Sequence, residues 1–306
     1  MSVAKPAVVG LGQCAFDFLG TVSHYPAVDQ KTEMQEVLMQ GGGPVATALV
    51  ALSRLEIPCA FQGRVGGDPY GGLIRSGLEE EGVDCQNLLV DPAGTSQLAF
   101  ITIERETGLR NIFWHRGTAR FLAPDEIDVE RIRQSRVLHL DGLQLEASLR
   151  AAQLARQNGI TTVLDGGTFR PGCERLLPFI DHPVVSERFA TGFAPDASLD
   201  QTLVRLLEYG GRAATVTLGK RGSRTLQRDG EGFSQSAFPV QAIDTTGCGD
   251  VFHGGYIYGL LQGWELPAVV RFAAACAALK TRAIGGRTAI PGLMEVTEFL
   301  NANPGF

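Results

Sequence analysis

Short, almost wholly apolar runs recur along this chain, and the segments between them carry a helical period. Ala7 to Gly10, Cys59 to Val65, Val137 to Leu140, Thr161 to Leu164, Val184 to Val185 and Ala213 to Leu218 predict strands. Their apolar character is continuous rather than alternating, which marks strands covered on both faces. Val45, Ala48, Leu49, Leu52 and Leu55 share one helical face, as do Leu199, Leu203, Leu206 and Leu207, and later Val269, Phe272, Ala273, Cys276 and Ala277. Strand and helix in alternation build a mostly parallel sheet between two helical layers, an α/β sandwich. At 306 residues, 44% hydrophobic and 20% charged, the chain has material for one large core.

Two stretches break this rhythm. Ala15 to Gln40 holds strand-like pieces with Pro26 and Asp29 but no helical period, and Leu98 to His115 alternates apolar and polar residues around a turn at Glu106-Thr107-Gly108. They predict a small β sheet set into one domain of residues 1–306, contributed by about 13–40 and 95–117. Phe100, Ile101, Ile103, Ile112, Phe113 and Trp114 would leave such a sheet with open apolar surface unless it covers a ligand or a second subunit. A lid that also forms a homodimer is therefore expected.

The formal net charge is −6 and no basic run is present, which argues against a nucleic-acid surface. No apolar run reaches bilayer length, and the start Met1-Ser-Val-Ala-Lys5 passes into a strand-like segment with no cleavage-type signal, so a cytoplasmic protein without a membrane role is expected. The six cysteines form no C-x-x-C pair and the five histidines no ligand spacing, which suits buried thiols better than disulfides or a structural metal.

Chemistry concentrates in Asp244-Thr-Thr-Gly-Cys-Gly-Asp250, which runs into a helical pattern through Val251, Phe252 and Tyr256. Glycines at 247 and 249 let consecutive N–H groups converge at the positive end of a helix dipole, an anion hole made of Gly247, Cys248 and Gly249. Asp250, in the first turn, is placed to take a proton from a hydroxyl. The plain alternative is a glycine-rich helix start in which Asp250 only complements the dipole. Gly41-Gly-Gly-Pro-Val-Ala-Thr47 is a second glycine-rich helix start, suited either to hydrogen-bonding a sugar at close range or merely to starting a helix. Gly10-Leu-Gly-Gln-Cys-Ala15, with Glu33 downstream, imitates a dinucleotide fingerprint, but no helical face follows it. Asp17 stands just past the first strand, either facing substrate hydroxyls or as an ordinary turn aspartate.

Taken in order, Gly41 to Thr47, Gly63-Arg-Val-Gly-Gly-Asp-Pro-Tyr-Gly71, Thr217-Leu-Gly-Lys-Arg-Gly222 and Asp244 to Asp250 resemble the motifs of the ribokinase-like (PfkB) carbohydrate kinases over nearly the whole chain. The resemblance implies a ribokinase-like three-layer α/β/α sandwich with a β lid, ATP and Mg2+ as cofactors, and a sugar as acceptor. It implies Asp250 as the base, Asp17, Gly42, Gly43 and Thr47 facing the sugar, and Thr217, Gly219 and Gly222 lining the nucleotide site. It also implies a monovalent cation, usually K+, near Asp244, Thr246 and the carbonyls of residues 282–287.

The chain departs from the family pattern in two places. Thr47 stands where ribokinases carry Asn, and the N-x-x-E motif is out of register at Ser186-Glu187-Arg188-Phe189. In motif style it is similar to the sulfofructose kinase and ketohexokinase-like branch, with Lys31 resembling a lid lysine there. Leu143 and Trp114, however, stand where a sulfonate would be gripped. A neutral sugar, a nucleoside or vitamin acceptor of the same fold, and an inactive sugar- or nucleotide-binding regulator all remain open at this stage.

Overall fold

The computed structural model describes residues 5–306, so residues 1–4 of the proposed start lie outside it. The chain opens with β1 (Val8–Leu11), then β2 (Ala15–Val22) and β3 (Glu36–Gly42). Pro44 begins α1 (Pro44–Arg54), and β4 (Cys59–Gly66) follows. Pro69 begins α2 (Pro69–Glu79), whose first turn is capped by the Asp68 side chain on the Gly71 amide. Next come β5 (Asp84–Asp91), β6 (Leu98–Glu104), β7 (Arg110–His115) and α3 (Val129–Gln134). The middle of the chain gives β8 (Val137–Leu140), α4 (Leu145–Gln157), β9 (Thr161–Gly166) and β10 (His182–Ser186). After α5 (Glu187–Phe193) and α6 (Leu199–Glu208) come β11 (Ala213–Thr217), β12 (Ser223–Gln227) and β13 (Phe233–Gln235). Three helices close the chain: α7 (Cys248–Leu261), α8 (Leu266–Lys280) and α9 (Leu293–Ala302).

Nine strands form the central sheet in the order β13-β12-β11-β10-β9-β8-β1-β4-β5. Pairing is parallel from β5 through β11, while β12 and β13 add antiparallel at one edge. Alternate residues of each strand feed opposite helical layers. Val8, Phe61, Val137 and Val163 pack with α1, α2, α7 and α8, whereas Val9, Leu11, Leu138 and Leu164 pack with α3, α4 and α6. All six predicted strands exist, each with small shifts at the ends except Val137–Leu140. β5, β12 and β13 were not foreseen, because strands at or next to a sheet edge meet water and carry polar residues that break an apolar run.

The interrupting stretches form the second sheet, β3-β2-β6-β7. It is mixed: β2 pairs parallel with β6, while β3 and β7 pair antiparallel on either side. Two residues separate Gly12 from the start of β2 at Ala15, so a strand stands where a dinucleotide fold needs a helix. The register Gln40–Asp17–Ala99–Trp114 puts one row on the cleft side, and Met39–Phe18–Phe100–Phe113 lies on the opposite face, where Phe18 packs on Tyr70 of α2.

Candidate active site

A cleft of about 460 Å3 lies between the second sheet and the C-terminal strand ends of the first, and Asp17, Gly43, Thr246, Gly247 and Asp250 all line it. Gly247 makes this possible. It caps α7 at φ 75, and a Cβ there would lie 2.7 Å from the Gly286 carbonyl oxygen, so only glycine lets the loop turn against the 285–287 segment. The first helical bond, Val251 N–H to Gly247 O, is 2.9 Å, and the Cys248 amide turns back to Thr245 O at 3.3 Å. The amides of Gly249 and Asp250 belong to the same first turn, where α-helical geometry supplies no acceptor.

Asp250 is half-buried at the start of α7. Burial pushes its carboxyl up to about 7, the Asp165 charge pushes the same way, and His253 and Arg110 oppose. His253, one turn on, holds the loop from behind. Its Nδ1 is 2.7 Å from Gly249 O and 3.4 Å from Asp165 Oδ2, and its Nε2 is 3.1 Å from Val184 O.

On the lid side, Asp17 is 6% exposed and its carboxyl is raised to about 6 by burial, against the opposing charge of Arg287. Gly42 leaves room for it: a Cβ at 42 would stand 2.1 Å from Asp17 Oδ2. Arg287, which the sequence reading did not single out, donates to Gly42 O at 3.1 Å and lies 3.5 Å from Thr47 Oγ1. Thr47 is buried in α1 against this guanidinium and does not line the cleft. Lys31 is exposed in the loop joining β2 to β3, also away from the cleft. Asp141, a further unforeseen acid, accepts from Gln13 N at 2.7 Å and Leu143 N at 2.9 Å, and burial lifts it to about 7. Its place directly after β8 was the available signal.

Beneath the loop, Asp244 is fully buried. Its Oδ1 accepts from Thr246 N at 2.8 Å and Thr246 Oγ1 at 2.7 Å, and its Oδ2 accepts from Gly285 N at 2.8 Å. The Asp244 carbonyl accepts from Lys280 Nζ at 3.1 Å, and Lys280 is itself 0% exposed. The charge that a monovalent cation would bring to Asp244 is thus carried by a side chain, and both carboxylate oxygens are committed to the loop. Lys280 and these donors take up the charge and part of the oxygen capacity that a cation at Asp244 would use. Among the described residues no cluster of three or more His, Cys, Asp or Glu suits a metal.

Thr217 ends β11, and Gly219 (φ 59) and Gly222 (φ 86) bracket the short turn that leads into β12. At Gly222 a Cβ would meet Gln235 O at 1.9 Å. Glu187 begins α5 nearby and ion-pairs with Arg221. This turn and α5 follow β11 and β10 at the C-terminal edge of the central sheet. Ligands of open α/β sheets sit along this edge.

Three arginines complete the cleft. Arg110 reaches the hydroxyl of Thr245, next to the bend of Gly247. Arg116 lies 4.5 Å over the Phe121 ring and Arg170 5.8 Å over the Trp114 ring.

A parallel sheet layered by helices, capped by a small sheet over a loop that enters a helix beside a buried acid, defines the ribokinase-like kinase fold. The chain belongs to the pfkB family of carbohydrate kinases, whose profile matches residues 5–292. It is a phosphotransferase with an alcohol group as acceptor. A probable fructokinase-4 of Arabidopsis thaliana is 29% identical over 98% of this chain and 98% of its own length. A putative ribokinase from Agrobacterium tumefaciens superposes with a TM-score of 0.88, at 29% identity, over 96% of this chain and 97% of that one. A putative ribokinase II from E. coli, solved with ATP and Mg2+, shares the fold with a TM-score of 0.85 at 22% identity, over 97% and 100%.

Proposed function

We propose that the protein transfers the γ-phosphoryl group of ATP to a sugar hydroxyl, with Asp250 as general base and the backbone of residues 247–250 as the anion hole. The observation that carries this reading is the shared cleft. Asp250, the Gly247 bend and Asp17 open into one space beneath the lid. A carboxylate lifted to about 7 matches the task of accepting a hydroxyl proton near neutral pH. Asp17 and the backbone of Gly42 and Gly43 hold the sugar, Arg287 fixes that backbone, and Thr47 steadies Arg287. Lys31 reaches the sugar only when its loop folds inward with the lid.

Thr217, Gly219 and Gly222 shape the nucleotide end of the site, with Glu187 beside them. The E. coli structure of the same fold holds ATP and Mg2+. Bound ATP with Mg2+ supplies the phosphoryl group and part of the charge neutralisation, and the residues named here position the acceptor and exclude water. Lys280 takes over the work of a monovalent cation beneath the loop. We read residues 1–306 as one kinase domain whose lid also joins two copies of the chain.

ATP consumption measured across a panel of sugars tests the reading. Asp250→Ala is expected to lower turnover by about 10²–10⁴-fold while nucleotide binding survives. Ordinary turnover in that variant would remove Asp250 from the mechanism.

A further inference from the structure

Resting on the kinase reading, we infer that the acceptor is an anionic sugar, one bearing a carboxylate or similar oxyanion, and that Arg116 and Arg170 hold that group at the mouth of the cleft. The geometry separates the arginines by role. Arg110 is anchored on Thr245 beside the anion hole, where the transferring phosphoryl group brings its own negative charge. Arg116 and Arg170 are placed differently: each guanidinium lies over an aromatic ring, Phe121 and Trp114 respectively, and both rings line the same cleft.

A guanidinium resting on a ring is held in place while its N–H edge stays available, and that edge matches two oxygens of a carboxylate. Arg116 is braced further by donating to Ala119 O at 3.0 Å. Among the described residues neither arginine ion-pairs with an acid, whereas Arg120, close by in sequence, pairs with Glu126. A neutral sugar would leave these two charges in the cleft without an opposite charge. A sugar acid neutralises them in the same cleft that Asp250 lines, which fixes the acceptor relative to the base. Trp114 and Phe121 supply the apolar faces on which a sugar ring packs.

The test compares matched acceptors: D-gluconate and a 2-keto-aldonate as carboxylates, a hexose phosphate as a phosphate, and D-fructose and D-ribose as neutral sugars. Thermal shift of the full chain with ADP present reads binding, and ATP consumption reads turnover. The expected result is that kcat/KM for a carboxylate or phosphate acceptor exceeds that of the neutral sugars by about tenfold or more, as one good charge-assisted contact allows. The better of the two anionic arms identifies the group. Arg116→Gln and Arg170→Gln are expected to raise KM for the anionic acceptor about tenfold, more than they lower kcat, so that its advantage over neutral sugars shrinks.

The inference is overturned if a neutral sugar is used as well as or better than every anionic one, or if both variants leave the anionic-to-neutral ratio unchanged. Absence of ATP consumption with every acceptor would sink the kinase reading alone. The melting temperatures would still decide the charge question: a larger rise with the anionic sugars supports it, and equal or no rise overturns it.

Discussion

Asp250 shows how much one side chain depends on its surroundings. An aspartate in water is ionised far below neutrality, but burial and Asp165 raise this one to about 7. In the proposed role Asp250 works only when ionised, so kcat/KM should rise with pH through about 7 and level off above it, a profile that steady-state rates from pH 5 to 9 will check. The same shift has a stability consequence. A carboxyl raised in the folded state favours folding while protonated, and that contribution disappears as pH climbs through the folded value. Asp250→Asn should therefore melt above wild type by a margin that widens toward pH 7 and is constant beyond. Asp17 and Gly42 form a second such pairing, since the absent Cβ at 42 is what admits the carboxylate.

At the scale of elements, α7 decides most. It is apolar on every side and lies against α1 and α8, so its position, and with it that of Asp250, is set by packing rather than by solvent. Gly254 lets it approach α1: a Cβ there would stand 2.7 Å from Ala51 Cβ and 2.9 Å from Ala48 O. Gly254→Ala gains up to ~1 kcal/mol of helix propensity and costs roughly 1–3 kcal/mol of overpacking. Net destabilisation in urea titration is the expected outcome. Lys280, on the last turn of α8, reaches the Asp244 carbonyl, and in the proposed role it spares the loop an added cation. Turnover and melting temperature should be the same in potassium and in tetramethylammonium buffers. Marked activation or stabilisation by K+ would show that Lys280 does not replace it.

For the whole molecule, the lid raises the question of its outer face. Met39, Phe100 and Phe113 stand in one row there and are 59%, 50% and 64% exposed, while Phe18 of the same row is packed on Tyr70. An apolar row of this kind is costly in water, and a second lid would cover it. Sedimentation velocity should find a dimer, and Phe113→Asp should shift it to monomer. A wild-type monomer at micromolar concentration would sink the lid interface.

The sandwich was legible because its signals are local. Continuous apolar runs have one cheap solution, burial between helices, and the alternation of strand with helix leaves little choice of topology. The Gly247 bend and Asp250 were legible too, since the glycine spacing and the acid lie within one helical turn. Arg287 could not be read as the neighbour of Asp17 and Thr47, for the hydrogen bond that joins it to Thr47 spans 240 residues of sequence. Lys280, at the end of an apolar helix, has the sequence setting of an ordinary basic cap, and only folding brings it to Asp244. Likewise Arg116 and Arg170 became parts of one cleft only in three dimensions. The sequence by itself determined the layers and the glycine-rich turn into α7, because local periodicity and backbone freedom are written in adjacent residues. Which distant charges meet in the cleft was decided by the tertiary structure, because long-range proximity leaves no periodic trace in a single chain.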